Sequence, residues 1–214
     1  MLGNKPEGIS VDIRNAVFNP NIKLHILPGG LMPVRKTDGA IGYDVALRAI
    51  VSATEMDMVQ PHLRKTLFDF KTVPEDQEIA QHGKNLKSEV DQGGPLDYVY
   101  MMDPGESVLA GIGFLSEMPF PLMYWVAPRS GLAAKHGITV TNAPGTVDPD
   151  YRGEAAVLVY NRNTKPYPLR KNMRIAQIVF MWAVVPLIEV VDSLEDLDDT
   201  ARGAGGFGST GIHG

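Results

Sequence analysis

Short segments of β-type residues, separated by glycine- and proline-containing turns, are the feature that most restricts the fold of this chain. They lie at residues 22–27, 45–51, 96–102, 107–114, 122–126, 167–173 and 175–185. Strong turn sequences such as Asp-Pro-Gly-Glu at 103–106 stand between them. Alternating βα units would need helical segments between the strands, and this spacing leaves little room for them. The pattern therefore predicts an all-β sandwich or jelly roll.

Residues 141–154 form a turn-rich stretch in the second half of the chain. Apolar β-type residues enter and leave it, and two prolines and two glycines lie between them, which is typical of a hairpin. Its tip carries a carboxylate, Asp148, three residues before an aromatic ring, Tyr151. Such a tip can position a water molecule and pack a ring on a sugar or a base. An ordinary Asp/Gly/Pro turn fits these residues as well.

Composition excludes several kinds of function. The chain has 214 residues and 44% hydrophobic content, which is enough for a buried core in a single domain. Its net charge of −5 provides no basic surface for polymeric nucleic acid. It has no cysteine, hence no disulfide, thiolate zinc site or cysteine nucleophile, and its five histidines show no metal-ligand spacing.

Targeting signals are missing from the sequence pattern. The first residues lack the charged-then-apolar pattern of a secretory signal, and no apolar run approaches the roughly 20 residues that span a bilayer. We therefore expect a cytoplasmic protein without a membrane partner. Residues 1–20 are polar with weak alternation and predict an arm or an edge strand. The acidic stretch 192–199 predicts a solvated linker to a glycine-rich tail.

Residues 52–95 differ in composition from the strand-rich remainder of the chain. Prolines and a glycine interrupt them, and their polar stretches have few apolar anchors. We interpret them as an insertion within the domain, either a solvated excursion or a region with one or two short helices.

Three further clusters could bind an anionic ligand. Residues 128–133 place Arg129, Ser130 and Gly131 after a strand, typical of a helix start with free backbone N–H groups. Residues 171–177 offer an amide and a cation at a strand entrance. Residues 202–211 combine five glycines, Arg202, Phe207 and two adjacent hydroxyls, so they could wrap a phosphate and lay a ring on a base. A disordered glycine-rich tail is the alternative.

Together with residues 42–44, these clusters resemble, in order, the five motifs of the trimeric dUTP diphosphatase (dUTPase) family. The motifs correspond to residues 42–44, 128–135, 142–153, 174–177 and 202–211, and the resemblance covers roughly residues 22–50 and 96–211. It implies an all-β jelly-roll or β-clip protomer with an inserted polar segment at 52–95, a glycine-rich C-terminal lid at 200–214, and a homotrimer with shared active sites. The implied reaction is hydrolysis of dUTP to dUMP and pyrophosphate, which keeps uracil out of DNA and supplies dUMP for thymidylate synthesis.

The resemblance also implies roles for individual residues. Asp148 would hold and deprotonate the attacking water, and Tyr151 would pack on the deoxyribose. Asp44 and Arg129 would brace the site, and Gln177 and Ser130, with Gly131 beside it, would contact the phosphates. The remaining substrate contacts would come from the hairpin and the tail: Asn142, Gly145, Thr146, Val147, Arg202, Phe207, Gly208, Ser209 and Thr210.

The chemistry of these residues agrees with that assignment. A carboxylate is ionised at neutral pH and is a weak base, so Asp148 would act largely by orienting water in line with the α-phosphorus. No protein ligand set for a metal is evident, and we expect Mg²⁺ to arrive bound to the substrate phosphates and water.

Two other functions are compatible with parts of the sequence. dCTP deaminases resemble this chain in fold and hairpin, but they carry an arginine where this chain has Ala134 and a glutamate where it has Leu158. Glu154 lies at a different offset from that glutamate. A non-catalytic protein that binds a partner through residues 52–95 is the second alternative.

Overall fold

The computed structural model describes residues 19–71, 86–89 and 97–205, with the backbone alone for 86–89 and residue 97. The chain divides into two compact units, Met1–Ala183 and Val184–Gly214. The arm or edge strand expected within residues 1–20 lies almost wholly outside the described residues. None of the helices in the described ranges has the length and hydropathy that a bilayer crossing requires.

The regular secondary structure in the described part of the first unit is almost wholly β-strand, as the sequence predicts. A single seven-residue helix, α1 (Ser130–His136), interrupts them; it ends at Gly137, which adopts a left-handed conformation with φ 66°. The strands are β1 (Lys23–Ile26), β2 (Tyr43–Ala46), β3 (Ala49–Met56), β4 (Arg64–Phe68), β5 (Leu86–Glu89), β6 (Asp97–Met102), β7 (Ser107–Gly111), β8 (Phe114–Glu117), β9 (Leu122–Pro128), β10 (Ile138–Val140), β11 (Gly145–Val147), β12 (Ala156–Asn161), β13 (Tyr167–Leu169) and β14 (Arg174–Trp182).

These strands form antiparallel sheets. A five-stranded sheet has the order β10-β12-β7-β3-β4, and a four-stranded sheet has the order β11-β9-β14-β2. Smaller sheets join β13-β6-β5 and β1-β8. Because the strands adjacent in each sheet are often distant in the chain, the sheets fix long-range neighbours that no local sequence pattern encodes.

The sheet faces differ in burial. Along β12, Val157, Val159 and Asn161 are buried, whereas the alternate residues Ala156, Leu158 and Tyr160 are half-buried. This alternation is typical of an antiparallel strand with one face on the core. The largest fully buried side chains form that core: Tyr124, Phe68, Phe70, Phe114, Leu47, Met102, Ile112, Leu122, Ile138, Leu169 and Ile178.

The segment 45–51, predicted as one strand, belongs to two strands in two different sheets. The change occurs at Leu47 and Arg48. The Leu47 N–H donates to Met173 O at 2.8 Å, whereas the Arg48 N–H donates to Gly111 O at 2.9 Å. The residues on both sides of this change are buried, so the sequence shows one apolar run. The backbone nevertheless changes its hydrogen-bonding partner within that run.

The segment 107–114, also predicted as one strand, divides into β7 and β8. Gly113 separates them with φ 76°, and its carbonyl accepts a hydrogen bond from the Leu27 N–H at 2.9 Å. A Cβ on Gly30 would overlap this carbonyl, because the two backbones pass directly against each other. The glycines therefore allow the chain to bend between sheets.

The described part of residues 52–95 is β structure and not helix. Ser52–Met56 continue β3, and β4 pairs with them through the register Met56–Arg64. The intervening turn is fastened by Asp57, whose Oδ1 accepts the N–H groups of Val59 and Gln60. The short helices that were one of the two interpretations are absent from 52–71 and 86–89, and residues 72–85 and 90–96 lie outside the described part of the chain.

Two buried tyrosines have different polar surroundings. The Tyr100 hydroxyl donates to Glu106 Oε1, and Glu106 Oε2 accepts the Asp103 N–H at 2.6 Å. Burial, reinforced by that hydrogen bond, raises the pKa of Tyr100. Burial also raises the pKa of Tyr124 to about 12. Its hydroxyl lies near that of Ser116, but neither makes a hydrogen bond of acceptable geometry within the described residues.

In the second unit the described residues have little regular structure. A short 3-10 helix, Leu194–Asp196, lies within the acidic stretch, and its first turn is capped by Ser193, whose Oγ accepts the Glu195 N–H at 3.2 Å.

Candidate active site

The hairpin at residues 141–154 is held by both large sheets. Its flanking strands, β10 and β12, pair with each other in the five-stranded sheet. Its tip contributes β11, which pairs with β9 in the four-stranded sheet through Gly145–Val126, Thr146–Trp125 and Val147–Tyr124. The tip is therefore a fixed element of the structure and not a free turn.

A cavity of about 230 Å³ lies against this tip. Five of the predicted site residues meet there: Asn142, Thr146, Val147, Asp148 and Tyr151. Additional residues complete the lining: Arg64, Leu109, Glu154, Ala155, Ala156 and Leu158. The volume lies below the roughly 300–1,000 Å³ of typical small-molecule pockets. It is therefore suited to part of a ligand, such as a nucleoside, with the remainder outside.

Gly145 contributes through its backbone. It is buried, and a Cβ at this position would lie 3.1 Å from the Asn142 side-chain nitrogen. This distance is shorter than most contacts that Cβ atoms make in proteins. The Asn142 amide therefore packs directly against the Gly145 backbone. The pair presents peptide groups and a side-chain amide together, which suits recognition of a polar ring edge.

Tyr151 folds back over the end of the hairpin. Its hydroxyl donates to Glu154 O at 3.1 Å, and 37% of the residue is exposed. A Cβ on Gly153 would overlap the Tyr151 hydroxyl and lie 2.6 Å from ring atom Cζ. Gly153 therefore leaves the space in which the ring lies, and the ring presents a flat face at the cavity.

A buried ion pair fastens the base of the hairpin. Arg48 Nε and Nη2 donate to Glu154 Oε1 and Oε2, each at 2.7 Å, and the Gly113 N–H donates to Oε1 at 3.1 Å. The Glu154 side chain is 0% exposed and that of Arg48 is 15% exposed. Both carboxylate oxygens are thus occupied, which does not suit Glu154 for a role as a free base.

A second cluster joins three elements at the far end of β9. Asp44 of β2 accepts hydrogen bonds from Arg129 Nε at 2.9 Å and Arg174 Nη1 at 2.7 Å. Arg129 Nη1 also donates to Arg174 O at 3.0 Å. Sequence analysis placed Arg174 in a motif but gave it no role. Only the structure shows that it shares Asp44 with Arg129.

Gln177 of β14 lies opposite Asp44 in the strand register. Its Nε2 donates to Pro128 O at 2.9 Å, and a Cβ on Gly42 would overlap its Oε1. Ser130 and Gly131 are exposed at the start of α1. These residues surround the end of β9 where the strand passes into the helix.

The two clusters are separated within one protomer. Val147 pairs with Tyr124, and Pro128 lies four residues further along β9, about 13 Å away at 3.3 Å per residue. Asp148 follows Val147, Arg129 follows Pro128, and Asp44 lies two strands from β9, on the far side of β14 from the hairpin tip. One phosphate group cannot contact both clusters of the same chain.

The predicted tail residues are only partly described. Arg202 is exposed, and its Nε donates to Gly205 O at 2.8 Å. Phe207, Gly208, Ser209 and Thr210 lie outside the described residues. Within the described ranges, no three His, Asp or Glu side chains come together in a way that could hold a metal ion.

Curated relatives and a family model match this chain. The family model for dUTPase matches residues 96–211. Deoxyuridine 5'-triphosphate nucleotidohydrolase of Nautilia profundicola is 50% identical over 111 residues, which cover 52% of this chain and 76% of that protein. The enzymes of the same name from Rhizobium rhizogenes and Caulobacter vibrioides are 44% and 45% identical, and the alignments cover 61% and 65% of this chain and 79% and 86% of theirs.

Solved structures share the fold at lower identity. The dUTPase of Staphylococcus bacteriophage 80alpha, determined with dUpNHpp, has a TM-score of 0.58 at 15% identity, covering 90% of this chain and 99% of that chain. The dUTPase of phage phi11 of S. aureus, described for its species-specific insert, has a TM-score of 0.55 at 13% identity, covering 83% and 99%. Because the family model spans more than half of the chain and relatives match at 44–50% identity over most of their length, the chain belongs to the dUTPase family.

Proposed function

We propose that this protein hydrolyses dUTP to dUMP and pyrophosphate by in-line attack of water on the α-phosphate. The observation that carries this proposal is the cavity where Asp148 and Tyr151 meet Asn142, Thr146 and Val147. A carboxylate for water, a ring for a sugar and a polar backbone for a base lie within one small space. The names of the curated relatives support the same reaction.

The hairpin would read the nucleoside part of the substrate. Peptide groups of residues 142–147 pair with the uracil edge, and the Tyr151 ring packs on the deoxyribose. A ring held against the sugar leaves no room for a 2′-hydroxyl, and a narrow pocket rejects a 5-methyl group. Asp148, exposed at the tip, holds water beside the α-phosphorus.

The second cluster would bind the phosphates. Asp44 fixes the guanidinium groups of Arg129 and Arg174, which keeps the strand ends and the start of the helix in register. Ser130, Gly131 and Gln177 then offer donors to the phosphate oxygens. Gln177 Nε2 donates to Pro128 O in this structure, so phosphate binding would use its accessible atoms or a changed rotamer.

A homotrimer with shared active sites would bring the two clusters together. Within one protomer they lie at opposite ends of β9, at least about 13 Å apart. A second chain that places its Asp44–Arg129 pair beside the hairpin of the first would surround one triphosphate from both sides. The separation within the protomer supports this arrangement.

Mg²⁺ would be bound through the substrate. The described donor set does not form a protein metal site, but a triphosphate supplies oxygen ligands of its own, and Asp148 lies at the rim where a bound water could be shared. When bound, the ion would neutralise charge on the leaving pyrophosphate. A phage phi11 dUTPase was described with a structural Mg(II) ion, which is a property of that protein.

The glycine-rich lid at 200–214 would close over the nucleotide, with Arg202 on the phosphates and Phe207 on the base. Gly208, Ser209 and Thr210 would donate to phosphate oxygens. A cytoplasmic location is likewise a proposal that rests on the sequence.

Neither alternative function is favoured. A dCTP deaminase would need a free glutamate in the pocket, but Leu158 stands in the predicted place and Glu154 is held by Arg48. Ala134 of α1 offers no cation. A non-catalytic role through residues 52–95 does not account for the residues that meet in the cavity.

A nucleotide panel tests the proposal. Purified protein with Mg²⁺ is incubated with dUTP, dCTP, dTTP and UTP, and both pyrophosphate and ammonia are measured. We expect pyrophosphate from dUTP alone and no ammonia. Asp148→Asn should retain dUTP binding and lose at least about 100-fold in kcat. Ammonia from dCTP would favour the deaminase, and near-normal turnover by Asp148→Asn would remove that residue from its role.

A further inference from the structure

Arg64 lines the cavity, although it lies outside the five motifs and outside residues 96–211 that the family model matches. It begins β4, on the edge of the five-stranded sheet, and is half-buried. Within that sheet β3 and β7 separate β4 from β12. Arg64 therefore belongs to the cavity lining although its strand is not adjacent to the hairpin strands.

The guanidinium of Arg64 has unused donors. Nη1 donates to Ala53 O at 2.8 Å and more weakly to Ser52 O at 3.4 Å. Nε is buried and makes no hydrogen bond with any described residue. In the same ranges no carboxylate forms an ion pair with Arg64. Buried donors in proteins nearly always have a partner, so the acceptor for this one lies outside the described residues, and a molecule bound in the cavity can supply it.

The surroundings indicate the kind of acceptor. Leu109, Ala156 and Leu158 give the cavity an apolar wall suited to the face of a ring. Asp148 already brings a negative charge, whereas the charge of Glu154 is matched by Arg48. With one carboxylate and one guanidinium left, the cavity has no surplus positive charge for a phosphate. A neutral carbonyl on a flat ring fits both the apolar wall and the absence of surplus positive charge.

We propose that Arg64 is a specificity-determining substrate contact, whose guanidinium donates a hydrogen bond to a ring carbonyl of the pyrimidine. This inference rests on the proposed function. A carbonyl at position 4 distinguishes uracil from cytosine, whose amino group at that position is a donor and would face another donor. The hairpin of β3 and β4 thus adds a base-reading residue to the site.

Arg64→Met tests the contact, because methionine keeps an unbranched stem and removes the donors and the charge. Lys65→Gln is the matched control: adjacent residues of a strand point to opposite faces, and Lys65 pairs with Glu55 at 2.6 Å on the other face. Arg64→Lys keeps the charge with a different donor geometry. The kcat/KM of each protein is measured with dUTP, 2-thio-dUTP, 4-thio-dUTP and dCTP, and Tm is recorded for all variants.

Arg64→Met should lower kcat/KM for dUTP roughly 10- to 100-fold, mainly through KM, while Lys65→Gln stays within about 3-fold of the unmodified protein. Sulfur is a poor acceptor, so one of the two thio-nucleotides should be a weak substrate for the unmodified protein and should be little affected by Arg64→Met. The position of that sulfur identifies the carbonyl. Preference for dUTP over dCTP should also fall if the carbonyl is at position 4.

An equal loss with dUTP and both thio-nucleotides, accompanied by a lower Tm, would assign Arg64 to holding the β3–β4 hairpin and would overturn the proposal. Unchanged kinetics would overturn it as well. If Arg64→Met does not fold, the kinetics of the unmodified protein test the contact. A kcat/KM for both thio-nucleotides equal to that for dUTP would exclude it. Failure of the unmodified protein to hydrolyse dUTP would instead refute the proposed function.

Discussion

Replacing Arg48 by methionine should destabilise the protein by about 3–5 kcal/mol, because it leaves a buried carboxylate without its counter-ion. Glu154 is 0% exposed and receives two hydrogen bonds of 2.7 Å from Arg48. Hydrogen bonds to charged groups contribute about 1.5–3 kcal/mol each. In the Arg48→Met variant, the bond from the Gly113 N–H is the one of these three that remains.

Matched variants separate the effect of losing the Arg48–Glu154 ion pair from the effect of losing the packing of the Arg48 side chain. Glu154→Gln keeps an acceptor for the Gly113 N–H and leaves Arg48, which is 15% exposed and partly solvated, so it should cost less, about 1–3 kcal/mol. The double variant Arg48→Met with Glu154→Gln removes both charges. It should be at least about 1 kcal/mol more stable than Arg48→Met alone, because no uncompensated charge remains.

Urea unfolding followed by fluorescence of the two tryptophans, Trp125 and Trp182, measures these free energies. Protein concentration is held constant, because the stability of the proposed homotrimer would depend on it. An Arg48→Met variant within about 1 kcal/mol of the unmodified protein would refute the reasoning. A double variant as unstable as Arg48→Met would show that packing of the arginine stem, and not its charge, is what matters.

Further predictions concern the hairpin, the core and the tail. Gly153→Ala should displace the Tyr151 ring and raise KM for dUTP at least about 10-fold, measured by pyrophosphate release, and an unchanged KM would contradict the overlap. Tyr100→Phe should lose about 1–3 kcal/mol in urea unfolding, whereas Tyr124→Phe should stay within about 1 kcal/mol or gain stability, because its hydroxyl makes no hydrogen bond within the described residues; equal losses would contradict this. Burial raises the pKa of Tyr124 from 10.0 to about 12, so the contribution of its neutral hydroxyl to stability is complete below pH 10 and falls as the pH rises towards 12. Between pH 10 and 12 the Tyr124→Phe variant should therefore lose less stability than the unmodified protein, as measured by urea unfolding at a series of pH values. Truncation before Arg202 should abolish dUTP hydrolysis without lowering Tm, and a truncated protein that melts early would show a structural role for the tail.

Local sequence pattern predicted the β class well and the strand boundaries less well. The runs at 45–51 and 107–114 each predict one strand, yet each contributes to two. At Leu47 and Arg48 the backbone changes partner from Met173 to Gly111, and at Gly113 it bends against Gly30. Both changes depend on distant segments, which alternation within a window cannot detect.

For the segment 52–95 the sequence left more than one interpretation open. Its described residues extend a sheet, since β3 continues to Met56 and β4 pairs with it. Their polar composition suits an edge hairpin as well as a solvated excursion. No motif in the sequence singles out Arg64, and only the tertiary structure places it in the cavity lining.

The sequence by itself determined the all-β class, the family and the candidates Asp148, Tyr151, Asp44 and Arg129, because alternation, turn residues and short motifs are local properties of the chain. Tertiary structure alone decided which of them are neighbours. It placed Asp148 and Tyr151 in one cavity, set the Asp44–Arg129 pair at the other end of β9, enclosed Glu154 with Arg48, and brought Arg64 to the cavity wall. These outcomes depend on long-range strand pairing, whose register is fixed by burial of the whole sheet and not by any single segment.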